Sequence, residues 1–210
     1  MNLYICGGEC LKEKLNKQTS ISFNEALCDG VVSYPLFDDT FNKLRATTHN
    51  VSVKEYHDYT VKPLETIKEY NELELVFGRD MFCMMNVVGL LTFLEQNNFP
   101  GNVTLRIVDE ITLDVIDTYP IKLGIYTEMY KTVLINHKRY RGKCIFELEC
   151  GLETYLQLQS ENNEILEYIE EHLEDSDLLE VLLLRYPDYG LGDTQYLKMI
   201  NKVKSERKAV

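Results

Sequence analysis

The chain has 210 residues, 45% hydrophobic and 27% charged, enough to bury a core in one large domain or in a medium domain with an appendage. Its formal net charge of −12 excludes a general nucleic-acid coat, whose affinity comes from neutralising phosphates with Lys and Arg. No apolar run reaches the roughly 20 residues that cross a bilayer, and no secretory leader pattern is visible, so a cytoplasmic protein without membrane contact is expected.

Residues 2–7 read as a short buried strand, and 9–17 as an amphipathic helix with Leu11 and Leu15 on one face. Ile21 and Phe23 mark a second strand that ends at the turn Cys28-Asp29-Gly30. Residues 38–70 are polar and helical in two pieces; Ser52 and Glu55 fit a capping box, and Pro63 limits the second piece. A strand at 72–78 runs into a helix at 80–97, Asn-Asn-Phe-Pro-Gly breaks the pattern, and 102–108 is a further strand. Strands alternating with helices predict an α/β fold, a Rossmann-like doubly wound and mostly parallel sheet, over residues 1–122.

From about residue 124 the pattern is helical throughout. Tyr126, Tyr130, Val133, Leu134 and His137 share a face, and apolar positions recur at 145, 148, 152, 155 and 156, which gives connecting helices over 123–158. Three shorter helices, near 162–174, 177–186 and 193–206, form a small C-terminal module (159–210), helix-turn-helix or winged-helix-like, joined near 155–160. Charge divides sharply here. Residues 151–186 hold ten acids against Arg185, while 192–210 hold five bases against two acids.

Six cysteines (Cys6, Cys10, Cys28, Cys83, Cys144, Cys150) show no zinc spacing, and His49, His57, His137 and His172 are scattered, so no metal ligands and no cofactor are assigned. The chemistry is expected at two strand-to-helix turns, Gly7-Gly8-Glu9 and Gly78-Arg79-Asp80, because open parallel sheets bind ligands beyond the carboxyl ends of their strands. Asp80 also suits a helix N-cap, yet Arg79 beside it and Asn86 inside an apolar helix exceed what a cap requires.

The segments ICGGECLKEKL, FNEALCDG and LELVFGRDMFCMMNVVGLLTFL resemble a bacterial family, the domain of unknown function numbered 1835, over roughly residues 2–115. The resemblance implies that Gly8 and Glu9 stand at its Gly-Asp, that Glu25, Asp29 and Gly30 match its acidic motif, and that Arg79, Asp80, Phe82 and Asn86 match its third motif. Glu9 replaces the shorter Asp, Val31 stands where Pro is usual, and Arg79 where His or Glu is frequent. YPDYGLGDTQYLKMINKV is similar to the small helical module that often follows that domain, and some relatives are named as transcriptional regulators.

The expected ligand site is therefore Gly7, Gly8, Glu9, Glu25, Asp29, Arg79, Asp80 and Asn86, with the carboxylates of Glu9, Glu25 and Asp80 opening onto one cavity and Arg79 as counter-charge. Such a site would take a small polar or phosphorylated ligand, making the chain a sensor domain coupled to a module that contacts a partner or DNA. Alternatively, the carboxylates would hold Mg²⁺ for phosphoryl transfer or hydrolysis. A third reading is a protein–protein adaptor using the acidic helices 147–180. Contact with DNA or a partner would fall to Thr194, Gln195, Lys198 and Lys202, helped by the basic stretch 137–143; so few cations would bind DNA weakly unless a homodimer doubled the face.

Overall fold

The computed structural model describes residues 2–161 and 163–208, with side chains through 207. Asn162, next to the expected joint, lies outside the described residues. The fold is mixed α/β, with a five-stranded, mostly parallel sheet and, among the described residues, nine α-helices. The strands are β1 (Asn2–Cys6), β2 (Ser20–Ser22), β3 (Glu72–Phe77), β4 (Asn102–Val108) and β5 (Val115–Ile121). Their order is β2-β1-β3-β4-β5: the chain steps from β1 to one side, then returns past β1 to build the other. β1 to β4 are parallel, while β5 returns antiparallel along β4.

β5 is absent from the sequence reading. Most of its side chains are exposed and it carries Pro120, so it shows neither a buried apolar run nor a clean alternation. Proline is tolerated there because β5 lies at the sheet edge, where one side of the strand needs no ladder bonds.

Register explains the two faces of the sheet. Leu3, Ile5, Leu73, Leu75, Phe77, Val103, Leu105 and Ile107 point to the main core. Cys6, Val76 and Val108 point the other way, onto Leu11 of α1 (Glu9–Leu15). That second face also carries a charged pair, Arg106 Nε to Glu74 at 2.6 Å. The main core is organised by α4 (Met81–Gln96), buried on nearly all sides from Met81 to Leu94, as its largely apolar sequence requires. Asp80 caps it, its side chain accepting from Cys83 N.

The stretch 38–70 becomes α2 (Asp39–His49), α3 (Val53–Tyr56), a π-helical turn (His57–Val61) and a 3₁₀ segment (Lys62–Glu69) that contains Pro63. The expected capping box is present: Ser52 accepts from Glu55 N, and Glu55 accepts from Ser52 N at 2.8 Å. After β5 come α5 (Tyr126–Tyr130), a second π-helical turn (Lys131–Ile135) and α6 (Phe146–Leu158), which packs against α4. The basic stretch 137–143 is not helical, and Arg139 is paired with Glu153.

The last helices are α7 (Glu164–Glu171), α8 (Leu178–Arg185) and α9 (Asp193–Lys208), with a 3₁₀ turn, Pro187–Tyr189, between the last two. Asn163 caps α7, accepting from Ile165 N at 3.0 Å. Tyr196, Ile200 and Val203 of α9 are buried, as the spacing predicts, but Leu197 is 43% exposed. The buried cluster runs without a break from Leu3 to Val203.

Candidate functional site

The first strand-to-helix turn is shaped by packing. Gly7 lies against the Phe77 ring, where an added Cβ would sit 2.8 Å from Cδ1, and Gly8 has φ +97°, a conformation that favours glycine. Glu9, which follows, is half-buried and fully engaged: it pairs with Lys12 at 2.6 Å and accepts from Ser22 at 2.5 Å. Lys12, then Ser22, hold its carboxyl below the usual range.

Glu25 occupies a closed environment of its own. Its carboxylate is fully buried and meets Arg45 Nη2 at 2.7 Å, His49 Nε2 at 2.6 Å, Tyr56 Oη at 2.5 Å and the Ala26 amide at 2.8 Å. Burial alone would raise its pKa, but His49 and Arg45 outweigh that and press it down to about 2. Asn86 Nδ2 donates to the Glu25 carbonyl at 2.5 Å and Asn86 Oδ1 accepts from Leu27 N, so Asn86 pins the 25–27 loop to α4. The polar residue inside an apolar helix is thus a staple for this loop. Asp29 is held by Lys198 of α9 at 2.6 Å.

Asp80 is placed elsewhere, at the carboxyl end of β3. Its Oδ1 accepts from Cys83 N at 2.8 Å, and burial raises its pKa despite these amide contacts. Glu110, after β4, reaches the same spot; desolvation and the Asp80 charge raise its pKa too. Cys83 Sγ lies 3.7 Å from Glu110 Oε1, and burial next to these two acids pushes the thiol well up, so it is no nucleophile. Ligand atoms of Asp80, Cys83 and Glu110 lie within 4.8 Å of one another.

Next to Asp80 opens a cleft of about 520 Å³, walled by the β3–α4 turn, the β4–β5 edge and the start of α6. Its polar wall holds Asp80, Asp117, Glu147 and Asp188 against Arg79. Among the described residues, Arg79 pairs with none of these acids. Glu147 Oε1 accepts from Tyr119 Oη at 3.0 Å, but its Oε2 is buried and has no hydrogen-bond partner among the described residues. Phe146, 71% exposed, stands at the mouth. The helical C-terminus closes on the same point: Gly190 has φ +64°, and a Cβ there would lie 2.1 Å from Asp80 Oδ1.

The expectation that Glu9, Glu25 and Asp80 open onto one cavity is therefore corrected. Glu9 turns to β2, Glu25 is sealed among Arg45, His49 and Tyr56, and neither lines the Asp80 cleft. β2 and its loop diverge from the β3 turn because β2 sits on the far side of β1.

Of the C-terminal candidates, Gln195, Lys198 and Lys202 line a groove with Cys28, Asp29 and Gly30 instead of standing free. Lys198 Nζ also reaches the Thr48 carbonyl at 3.4 Å, and Thr194 bonds to Asp193 at the start of α9. Sequence reasoning missed Glu110, Asp117, Glu147 and Asp188, which come from four separate segments without a shared motif. It also missed Arg45 and His49, although their spacing of four on one helix was a readable signal. Comparison of the chain with known proteins finds no family model, no curated protein and no solved structure that matches it.

Proposed function

We propose that the chain is a small-ligand-binding domain whose site is the cleft at Asp80, and that its helical C-terminus senses occupancy. One observation carries this reading. The cleft wall gathers the acids Asp80, Asp117, Glu147 and Asp188 around a single base, Arg79, a crowding of acceptors that a ligand hydroxyl or ammonium would relieve. Four carboxylates against one Arg disfavour a phosphorylated ligand, so the ligand class narrows to amines and polyols. Phe146 at the mouth adds an aromatic face suited to a cation.

The Rossmann-like reading of the sheet fits this placement. The strand order reverses about β1, and the β3 turn lies beside it, where ligands of open parallel sheets gather. The proposed likeness to the domain of unknown function numbered 1835 points to the same turn, through Asp80. Gly190 on Asp80, and Asp188 in the cleft wall, link the site to the helical module. A helix-turn-helix-like module of this kind would transmit occupancy to a partner. Lys198, already paired with Asp29, favours docking on the α/β part over DNA contact.

The test is calorimetric titration with spermidine, glucosamine and ATP. The amines bind the wild type and lose at least tenfold in affinity to Glu147→Gln; binding of ATP but of neither amine overturns the proposal.

A second reading has its own support, since Asp80, Cys83 and Glu110 are close enough to share a metal ion, which would make the cleft hydrolytic. Mn²⁺ or Zn²⁺ would then raise the melting temperature of the wild type and not of Asp80→Asn. No metal-dependent shift removes that reading.

A further inference from the structure

A second cavity, remote in sequence from the Asp80 cleft, opens over the Glu25 cluster. It measures about 550 Å³, within the range of small-molecule sites, and is walled by Asn24, His49, Val51, Tyr56, Tyr59 and Thr60. Three features set it apart from a surface dent.

The first is how His49 is held. Nε2 lies 2.6 Å from Glu25 Oε1 and 3.5 Å from Arg45 Nη2. The carboxylate at 2.6 Å can only accept, so Nε2 must carry its proton and donate it to Glu25, and the longer approach of Arg45 is no hydrogen bond to that nitrogen. In the neutral ring Nδ1 is then an acceptor, and it has no hydrogen-bond partner among the described residues. The imidazole is also clamped from the side, stacked on Tyr56 with centroids 5.9 Å apart and planes 19° apart.

The second is the investment beneath the ring. A buried Glu–Arg pair is a poor source of stability, because desolvating both charges offsets most of their attraction. It is a good way to fix the tautomer and direction of an imidazole, as carboxylates do for functional histidines. The third is the wall opposite. Tyr59, 57% exposed, and Thr60 belong to the π-helical turn His57–Val61, and such turns are frequent at functional sites. Thr60 Oγ1 donates to the Asn24 carbonyl at 3.1 Å and ties that turn to the floor.

We infer that this cavity binds a planar aromatic ligand that donates an N–H or O–H to His49 Nδ1 and lies beside the Tyr59 ring. Val51, 42% exposed, supplies apolar contact on the rim. Glu55 at the mouth, beside Asp58 that Lys54 pairs with, disfavours anionic rings, so the ligand is neutral or cationic. The site is separate from the Asp80 cleft, and its fate is independent of the function proposed there.

The experiment uses indole as the donor-bearing probe, benzothiophene as an isostere without the N–H, and benzoate as an anion. Imidazole ¹⁵N resonances of the full chain are followed by NMR. Indole should move the His49 Nδ1 resonance and the Tyr59 ring signals. Benzothiophene should bind about tenfold more weakly, the worth of one hydrogen bond whose partner is otherwise left bare. Benzoate should not bind. Tyr59→Ser, at an exposed position, should weaken indole severalfold with an unchanged melting temperature, which separates loss of binding from loss of fold. No His49 shift at millimolar indole, or equal affinity for indole and benzothiophene, overturns the inference.

Discussion

At the scale of single residues, two carboxyl groups, the buried Glu25 and the half-buried Asp80, behave in opposite ways. Glu25 is stabilised as an anion, with a folded pKa of about 2 against an ordinary 4.5. A depressed folded pKa contributes stability that is fully present above the unfolded value and lost as pH falls through the folded one. Acid unfolding should therefore draw on Glu25 between pH 4.5 and 2. Glu25→Gln should cost about 3 kcal/mol at pH 7, because Arg45 is left buried without its counter-charge, and should flatten the stability curve across that window. Urea unfolding of both proteins at several pH values measures it; an unchanged slope in acid would contradict the account. Asp80 is the reverse case, its pKa raised by burial. Asn caps helices as well as Asp does, so Asp80→Asn should leave neutral-pH stability equal or higher while ending ligand binding. A structural cap alone would not separate the two readouts.

At the scale of elements, legibility followed burial. The run of apolar residues in α4 and the Ser52–Glu55 box were readable because local chemistry dictates them. The π-helical turns His57–Val61 and Lys131–Ile135 leave no such trace, since each keeps a helical pattern and adds a residue to the turn. β5 was hidden by its exposure, and with it Asp117 and one wall of the cleft. The adjacent charges of the Gly78-Arg79-Asp80 turn were visible, but the acids that gather near Asp80 were not. Glu110, Glu147 and Asp188 reach Asp80 or its cleft through tertiary packing, which spacing along the chain does not encode. The turn Pro187–Tyr189 and Gly190 give a prediction at this scale. Gly190→Ala puts a Cβ at φ +64° and 2.1 Å from Asp80 Oδ1, so it should cost more than the ~1 kcal/mol of backbone strain alone. Chemical denaturation reads the loss; a cost below that value would mean that the turn does not press on Asp80.

At the scale of the whole molecule, the helical C-terminus grips the α/β part at two points. Gly190 rests on Asp80, and Lys198 binds Asp29 on the loop that Glu25 and Asn86 fix. Exposed ion pairs are individually weak, so Lys198→Ala should lower stability by less than about 1 kcal/mol. It should nevertheless speed hydrogen exchange across α9 relative to the sheet, because the helix loses a tether that its acidic neighbours do not replace. Equal exchange in both proteins would show the pair to be idle. A donor-bearing ligand bound at Asp80 should be felt by the helical module. Hydrogen exchange of the wild type with and without saturating spermidine tests it most directly. With spermidine bound, the amides of residues 189–192 should exchange more slowly, as should those around 80–83, and both effects should be absent in Asp80→Asn. Protection confined to 80–83, or no protection at either place, would contradict it.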